Sequence, residues 1–294
     1  MDEETLQKYI KAGKIAAQAL QYGKSLIKPG TLVVEVLDKV EEKIKELGGG
    51  IAFPAQISLN ETAAHSCPLL GDKTEFKDQV CKLDIGVHIE GYIADTALTV
   101  DLSGKYAELL KASQEALNQA LEMIKPGITL GEIGKKIHEV ITGYGFAPIK
   151  NLSGHGLGHF DVHSKPSIPN YDTGDERELE ENMVFAIEPF ASTGKGVVYE
   201  SGEAGVFMLT EKKPVRNPIT MDVLKEIETY EGLPFAKRWL QKKFGAKVGF
   251  AFRELKQLGC LKEFPPLVDE GKGMVSQAEH SVIVKDKPII FTKI

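Results

Sequence analysis

Apolar residues recur along this chain in two rhythms, and the switch between them maps its elements. From Val33 to Leu47 the apolar positions Val33, Val36, Leu37, Val40, Ile44 and Leu47 fall largely three or four apart, as on one face of a helix, and Gly48 supplies a stop. A Phe53-Pro54 turn follows. The same helical spacing returns in Leu130, Ile133, Ile137 and Ile141, followed by Gly143, Gly145 and Pro148. Each pattern is preceded by the same four residues, Ile27-Lys28-Pro29-Gly30 and Ile124-Lys125-Pro126-Gly127, 97 residues apart, with a further helix-like stretch before each. Each then runs on to a histidine, His65 in the first copy and His155 in the second. The matched order predicts two related halves, each supplying helices to a shared antiparallel sheet.

Between the copies the rhythm changes to that of strands. Val80 to Ile89, then Glu90-Gly91, then Tyr92 to Val100 reads as a hairpin closed by a two-residue turn. That turn sets Ile89 opposite Tyr92, Gly86 opposite Asp95 and Asp84 opposite Ala97, so Asp84 and Asp95 share a face as diagonal neighbours, about 7–8 Å apart at the backbone. From Thr210 to about Lys272 the texture differs: Pro214 and Pro218 open a stretch with helical patterns near 220–230, 235–243 and 249–259. It predicts a helical insertion over residues 210–272 in a domain made of residues 1–209 and 273–294. Strand pattern resumes from Val275 to Val284.

Composition narrows the class. The 294 residues carry 36 Lys and Arg against 42 Asp and Glu, a formal charge of -6, which favours neither nucleic acid nor an anionic membrane as partner. At 42% hydrophobic and 27% charged the chain is in the globular range. The start, Met1 to Ile10, is polar and acidic rather than basic then apolar, and no apolar run reaches the roughly 18 residues of a membrane span, so a cytosolic protein is expected. Cys67, Cys81 and Cys260 are odd in number and unpaired in spacing, which points to small buried hydrophobes rather than disulfides or a zinc knuckle.

Polar residues stand where apolar strands should not hold them. Glu188 ends the run Met183 to Ile187, with Pro189 forcing it toward extended backbone, and Glu279 interrupts the last strand pattern. His155 lies in what reads as a loop, too rich in glycine (Gly154, Gly156, Gly158) for a helix. Together with Asp84 and Asp95, these make four carboxylates and one imidazole. Gathered in one pocket, they would need compensating charge, and two divalent cations (Mn, Fe, Co or Zn) would supply it. Such a pair, about 3.5–4 Å apart, generates hydroxide and polarises a carbonyl.

These residues resemble the methionine aminopeptidases, in the type 2 branch shared by archaea and eukaryotes. The resemblance runs over nearly the whole chain and rests on Ala52 to Pro54, Asn60-Glu61 through Ala64-His65, Cys81 to Asp84 through Asp95-Thr96, Asn151 to His155, Phe185 to Phe190 and Glu279-His280. It implies an α+β fold, a pseudo-two-fold "pita-bread" antiparallel sheet covered by helices. It implies five metal ligands, Asp84, Asp95, His155, Glu188 and Glu279, and two divalent ions bridged by a hydroxide that attacks the scissile carbonyl.

By the same resemblance, His163 would donate to the carbonyl oxygen, His65 would contact the departing nitrogen or next residue, and Glu188 would shuttle the proton. The methionine side chain would fill a slot lined by Phe53, Val162, Phe190, Phe264 and Leu267. The implied substrates are N-termini of nascent polypeptides with a small second residue, cleaved by a monomer in transient contact with the ribosome. An X-Pro aminopeptidase or prolidase of the same fold, or a non-catalytic binding relative, are the alternatives. Ser66-Cys67 and Ala278 depart from the family's usual residues and bear on pocket shape. His159 falls off the ligand positions, His138 reads as a helix-surface or packing residue, and His88 and His280 are expected to support neighbouring ligands from the opposite strand face.

Overall fold

The computed structural model describes residues 1–293. The first half comprises α1 (Glu3–Leu26), α2 (Val33–Glu46), β1 (Gly50–Leu59), β2 (Thr62–Ala64), β3 (Val80–Ile89) and β4 (Tyr92–Asp101). The second comprises α3 (Ala107–Met123), α4 (Leu130–Gly143), β5 (Ala147–Pro148), β6 (Ser153–Gly158), β7 (Asp161–Pro169), β8 (Val184–Ile187) and β9 (Phe190–Ser192). Both bounds of α4 lie 97 residues beyond those of α2, and the end of α3 lies 97 beyond that of α1. The glycines of the repeated tetrapeptide both take left-handed backbone, with φ 86° at Gly30 and 87° at Gly127. Each donates its N–H to a distant carbonyl, Phe76 O and Leu179 O respectively. The echo is therefore a true structural repeat: a helix stop, a glycine turn pinned by a later loop, and a second helix of the same length.

Helix α2 buries Val33, Val36, Leu37, Val40 and Ile44, and α4 buries Leu130, Ile133, Ile137 and Ile141, the stripes expected from their spacing. Thr129 caps α4 in a capping box with Glu132, whereas Leu32, the N-cap of α2, offers no side-chain hydrogen bond. The first half packs its core on β1, β3 and β4 and the second on β8 and β16, as two separate apolar clusters.

Downstream come β10 (Val198–Glu200), β11 (Val206–Leu209), α5 (Pro218–Glu228), β12 (Phe235–Ala236), α6 (Lys237–Phe244), α7 (Lys247–Gln257), β13 (Leu261–Phe264), β14 (Leu267–Asp269), β15 (Val275–Gln277), β16 (His280–Ile283) and β17 (Ile289–Ile290). The three expected helices of residues 210–272 form, with their own apolar cluster around Phe235, Phe252 and Leu255. The stretch also holds strands β12, β13 and β14: β12 and β13 flank β11 just before it, and β14 pairs with β10 and β2.

Every strand pair is antiparallel. The single shared sheet expected from the repeat is divided: β1-β3-β4 and β17-β16-β8-β6-β7 are separate ladders, meeting at the bridge between Ala97 and Glu279. Two twisted half-sheets meet only over a short stretch, and that seam is where the unusual acids stand.

Candidate metal and peptide site

The hairpin register places Gly86 opposite Asp95 and Asp84 opposite Ala97, as the two-residue turn requires, so both aspartates face one side. Asp95 is held across the seam: its N–H donates to Ser281 Oγ at 2.8 Å, and that hydroxyl donates to Asp95 O at 2.7 Å. Glu279 sits between β15 and β16, its N–H on Ala97 O at 3.1 Å and its carbonyl accepting from Thr96 Oγ1 at 2.9 Å. Glu188 occupies the break between β8 and β9, its carbonyl accepting from Asn170 Nδ2 at 3.2 Å. The seam thus fixes the backbone of three acids before any ligand arrives.

His155 lies on β6, not in a loop. Alternating glycines suggest a flexible loop in the sequence; in the structure they serve close packing. A Cβ at Gly154 would lie 2.2 Å from Ala186 O, and one at Gly156 2.2 Å from Lys165 O, so only glycine lets β7 and β8 flank this strand. From there His155 Nε2 reaches Asp95 Oδ2 at 3.6 Å and Glu188 Oε1 at 3.7 Å. Ligating atoms of Asp95, His155 and Glu279 all lie within 4.8 Å of one another.

Burial pushes the Asp84 carboxyl up to about 7. Burial, then repulsion from the neighbouring carboxylates, raises Asp95, Glu188 and Glu279 well above the carboxylate range. Burial and the adjacent His163 hold His155 down at about 3. Asp84 Oδ1, Asp95 Oδ1 and Glu279 Oε2 are buried without a hydrogen-bond partner. Repelling acids with orphaned oxygens beside a neutral imidazole fit hard or borderline divalent cations, which would satisfy the oxygens and cancel the repulsion.

The cluster forms the floor of a cavity of about 210 Å³. Phe53, Val162, Phe190 and Phe264 line it with His65 and His163. Leu267, expected on the wall, packs against the apolar cluster of Ala63, Phe190 and Val198 and does not line this cavity. His163 stacks on Phe264 (6.1 Å between centroids) and lies edge-on to His155 (4.6 Å); His65 meets the edge of the same phenylalanine at 5.6 Å. His65 adopts a φ of 63°. Burial lowers both histidines, His65 to about 4.

Sequence reasoning missed Gln56, Ser153, Val206 and Pro234, which also line the cavity, and Gln277, whose Nε2 donates to Glu188 Oε2 at 3.3 Å. Gln56 could have been found, since it pairs with Asp84 across β1 and β3; Val206 and Pro234 come from segments whose approach no local pattern records. The remaining histidines are elsewhere. His159 bonds Glu90 O at 2.9 Å, His138 lies on α4, and His88 accepts from its own hairpin turn at Gly91, contacting no ligand. His280 bonds Thr292 Oγ1, which also accepts from Ser281 N–H, so it bears on Asp95 only through Ser281. Ala278 is buried in the second apolar cluster, away from the cavity wall.

An antiparallel double-half fold with a carboxylate and histidine cluster under an apolar cavity defines a class, and sequence comparison agrees: residues 7–212 match metallopeptidase family M24, and the chain belongs to it. Its full-length similarity is to methionine aminopeptidases. That of Archaeoglobus fulgidus is 48% identical over 97% of both chains, and that of Methanocaldococcus jannaschii 42% over 99% of both. Among solved structures, the methionine aminopeptidase of Thermotoga maritima superposes with a TM-score of 0.74 at 25% identity, covering 100% of this chain and 98% of that one. Among the described residues no helix is long and apolar enough to cross a membrane.

Proposed function

We propose that this chain is a methionine aminopeptidase of the type 2 branch, with residues 210–272 as the branch's insertion in a domain of residues 1–209 and 273–294. It removes the initiator methionine from nascent polypeptides whose second residue is small, as a cytosolic monomer in transient contact with the ribosome. The observation that carries this reading is the meeting of Asp84, Asp95, His155, Glu188 and Glu279 on the floor of an apolar, methionine-sized cavity.

Those five side chains would hold two divalent ions, drawn from Co, Mn, Fe and Zn. Bound there, the ions supply a hydroxide at neutral pH and polarise the scissile carbonyl. Phe53, Val162, Phe190 and Phe264 take up the thioether, and soft sulfur on aromatic edges favours methionine over branched side chains. His163 and His65, held neutral by burial, each present one N–H. His163 donates to the carbonyl oxygen as charge develops there. His65 contacts the departing nitrogen. Glu188, oriented by Gln277, accepts the proton of the attacking water and passes it to the leaving amine.

One assay separates this function from its nearest rival: release of methionine from Met-Ala-Ser against cleavage of an X-Pro peptide by the same metal-loaded enzyme. Methionine release with little X-Pro cleavage is expected. The reverse preference would make the protein a proline-directed peptidase.

A further inference from the structure

Arg238 is fully buried, although a guanidinium ordinarily stays at the surface. It pairs with the buried carboxylate of Glu41 on α2, with Asp38 one turn earlier at 3.4 Å, and donates from Nη1 to Cys67 Sγ at 2.6 Å. Trp239 Nε1 donates to the other oxygen of Glu41 at 2.8 Å. Nothing in the chemistry derived above uses this cluster.

What it touches leads into the cavity on three sides. Glu41 Oε1 accepts the N–H of Ala55 at 3.2 Å, inside the stretch where β1 slips register against β3 between Phe53 and Gln56. Both flanking residues line the cavity, so a side-chain carboxylate replaces a ladder bond where the strand bulges to present them. Cys67 follows His65 by two residues, and Gly205 lies so close to it that a Cβ there would fall 1.9 Å from Cys67 O. The residue after Gly205 is Val206, another wall residue, and Gly205 O accepts the N–H of Lys237 at 2.9 Å. Arg238 itself comes four residues after Pro234, the last of these wall segments. Cys67, Val206, Ala236 and Phe264 form one apolar cluster beside it.

We propose that the buried Glu41–Arg238 pair is a positioning device that fixes the width of the side-chain slot by tying the β1 bulge, the His65 to Cys67 loop and the Pro234 turn to one charge cluster. Neither residue touches substrate; they act through Phe53, Gln56, Val206 and Pro234. The pair is anchored on α2 by Glu41 and Asp38, and the two groups it bonds beyond that helix, Ala55 and Cys67, each lie within two residues of a wall residue. The inference rests on the methionine-cleaving reading and deepens it, because it names what sets the choice of first residue.

The test compares Met-Ala-Ser with Leu-Ala-Ser in the wild type, Glu41→Gln, Arg238→Lys, the apolar double variant Glu41→Leu/Arg238→Leu, and Trp239→Phe, which deletes only one hydrogen bond. The wild type reports on the function itself: failure to release methionine would end that reading independently of the variants. Given an active wild type, Glu41→Gln and the double variant should keep wild-type metal content and a kcat within about threefold, while KM for Met-Ala-Ser rises and the methionine-to-leucine ratio of kcat/KM falls about tenfold or more. Trp239→Phe and Arg238→Lys should move the ratio the same way by about threefold. Wild-type KM and ratio in any folded, metal-loaded variant of Glu41 or Arg238 would overturn the proposal. So would a loss confined to kcat and equal for both peptides. Should only Trp239→Phe fold, an unchanged ratio in it would count equally against the proposal.

Discussion

Asp95 shows how a residue can be right for function and wrong for stability. It is 3% exposed, one of its oxygens has no partner, and its closest charged neighbours are acids. Without a cation this arrangement opposes folding, so Asp95→Asn should raise the melting temperature of the metal-stripped protein while abolishing methionine release. Glu188→Gln should lower kcat by roughly 10²–10⁴, the usual worth of a positioned proton-transfer group, in a steady-state assay on Met-Ala-Ser. The pH dependence follows with a definite sign. Asp84 is raised to about 7 in the folded state, against an ordinary aspartate near 3.9 unfolded, so the fold binds its proton more tightly than the unfolded chain does. The contribution of Asp84 to the stability of the metal-free protein is complete below about 4, falls as pH rises toward 7, and is lost above it. Thermal melts in chelator at pH 5 and pH 8 should show the wild type losing midpoint relative to Asp84→Asn between the two, and added divalent metal should raise the wild-type midpoint more at pH 8 than at pH 5. A wild-type midpoint that gains on Asp84→Asn as pH rises would contradict the burial of this acid.

Among the elements, β6 carries the most risk because its glycines are all that allow its neighbours in. Gly154→Ala should destabilise by about 1–3 kcal/mol in chemical denaturation, since the intruding methyl meets the backbone of β8 rather than a side chain that could swing away. It should also weaken metal binding by displacing His155. The control is Gly143→Ala at the end of α4, where an added methyl meets nothing within 4 Å and should be neutral or slightly stabilising. The hairpin β3–β4 was fully legible, because a Glu-Gly turn of two residues leaves one register, and that register alone set Asp84 and Asp95 on one face. The strand β6 was not, because glycine's local preference for turns hides a requirement that only neighbouring strands impose.

Across the whole molecule, the repeat of 97 residues was readable because each half reuses the same stop, turn and helix start, which are local signals. The division into two ladders joined at Ala97 and Glu279 was not readable, since twist decides where half-sheets part. Four of the five expected slot residues line the cavity; Leu267 does not, and Pro234 and Val206 join them from segments brought in by tertiary packing. The chemistry depends on one whole-molecule fact, that three strands and two strand breaks deliver five polar side chains to one seam. The most direct test is metal uptake by stripped protein, followed by elemental analysis and methionine release from Met-Ala-Ser in the same samples, for wild type and Asp95→Asn/Glu279→Gln. The expected result is two ions per wild-type chain with activity restored on loading, and neither in the double variant. Equal uptake by both proteins, or methionine release that persists without metal, would contradict the assignment.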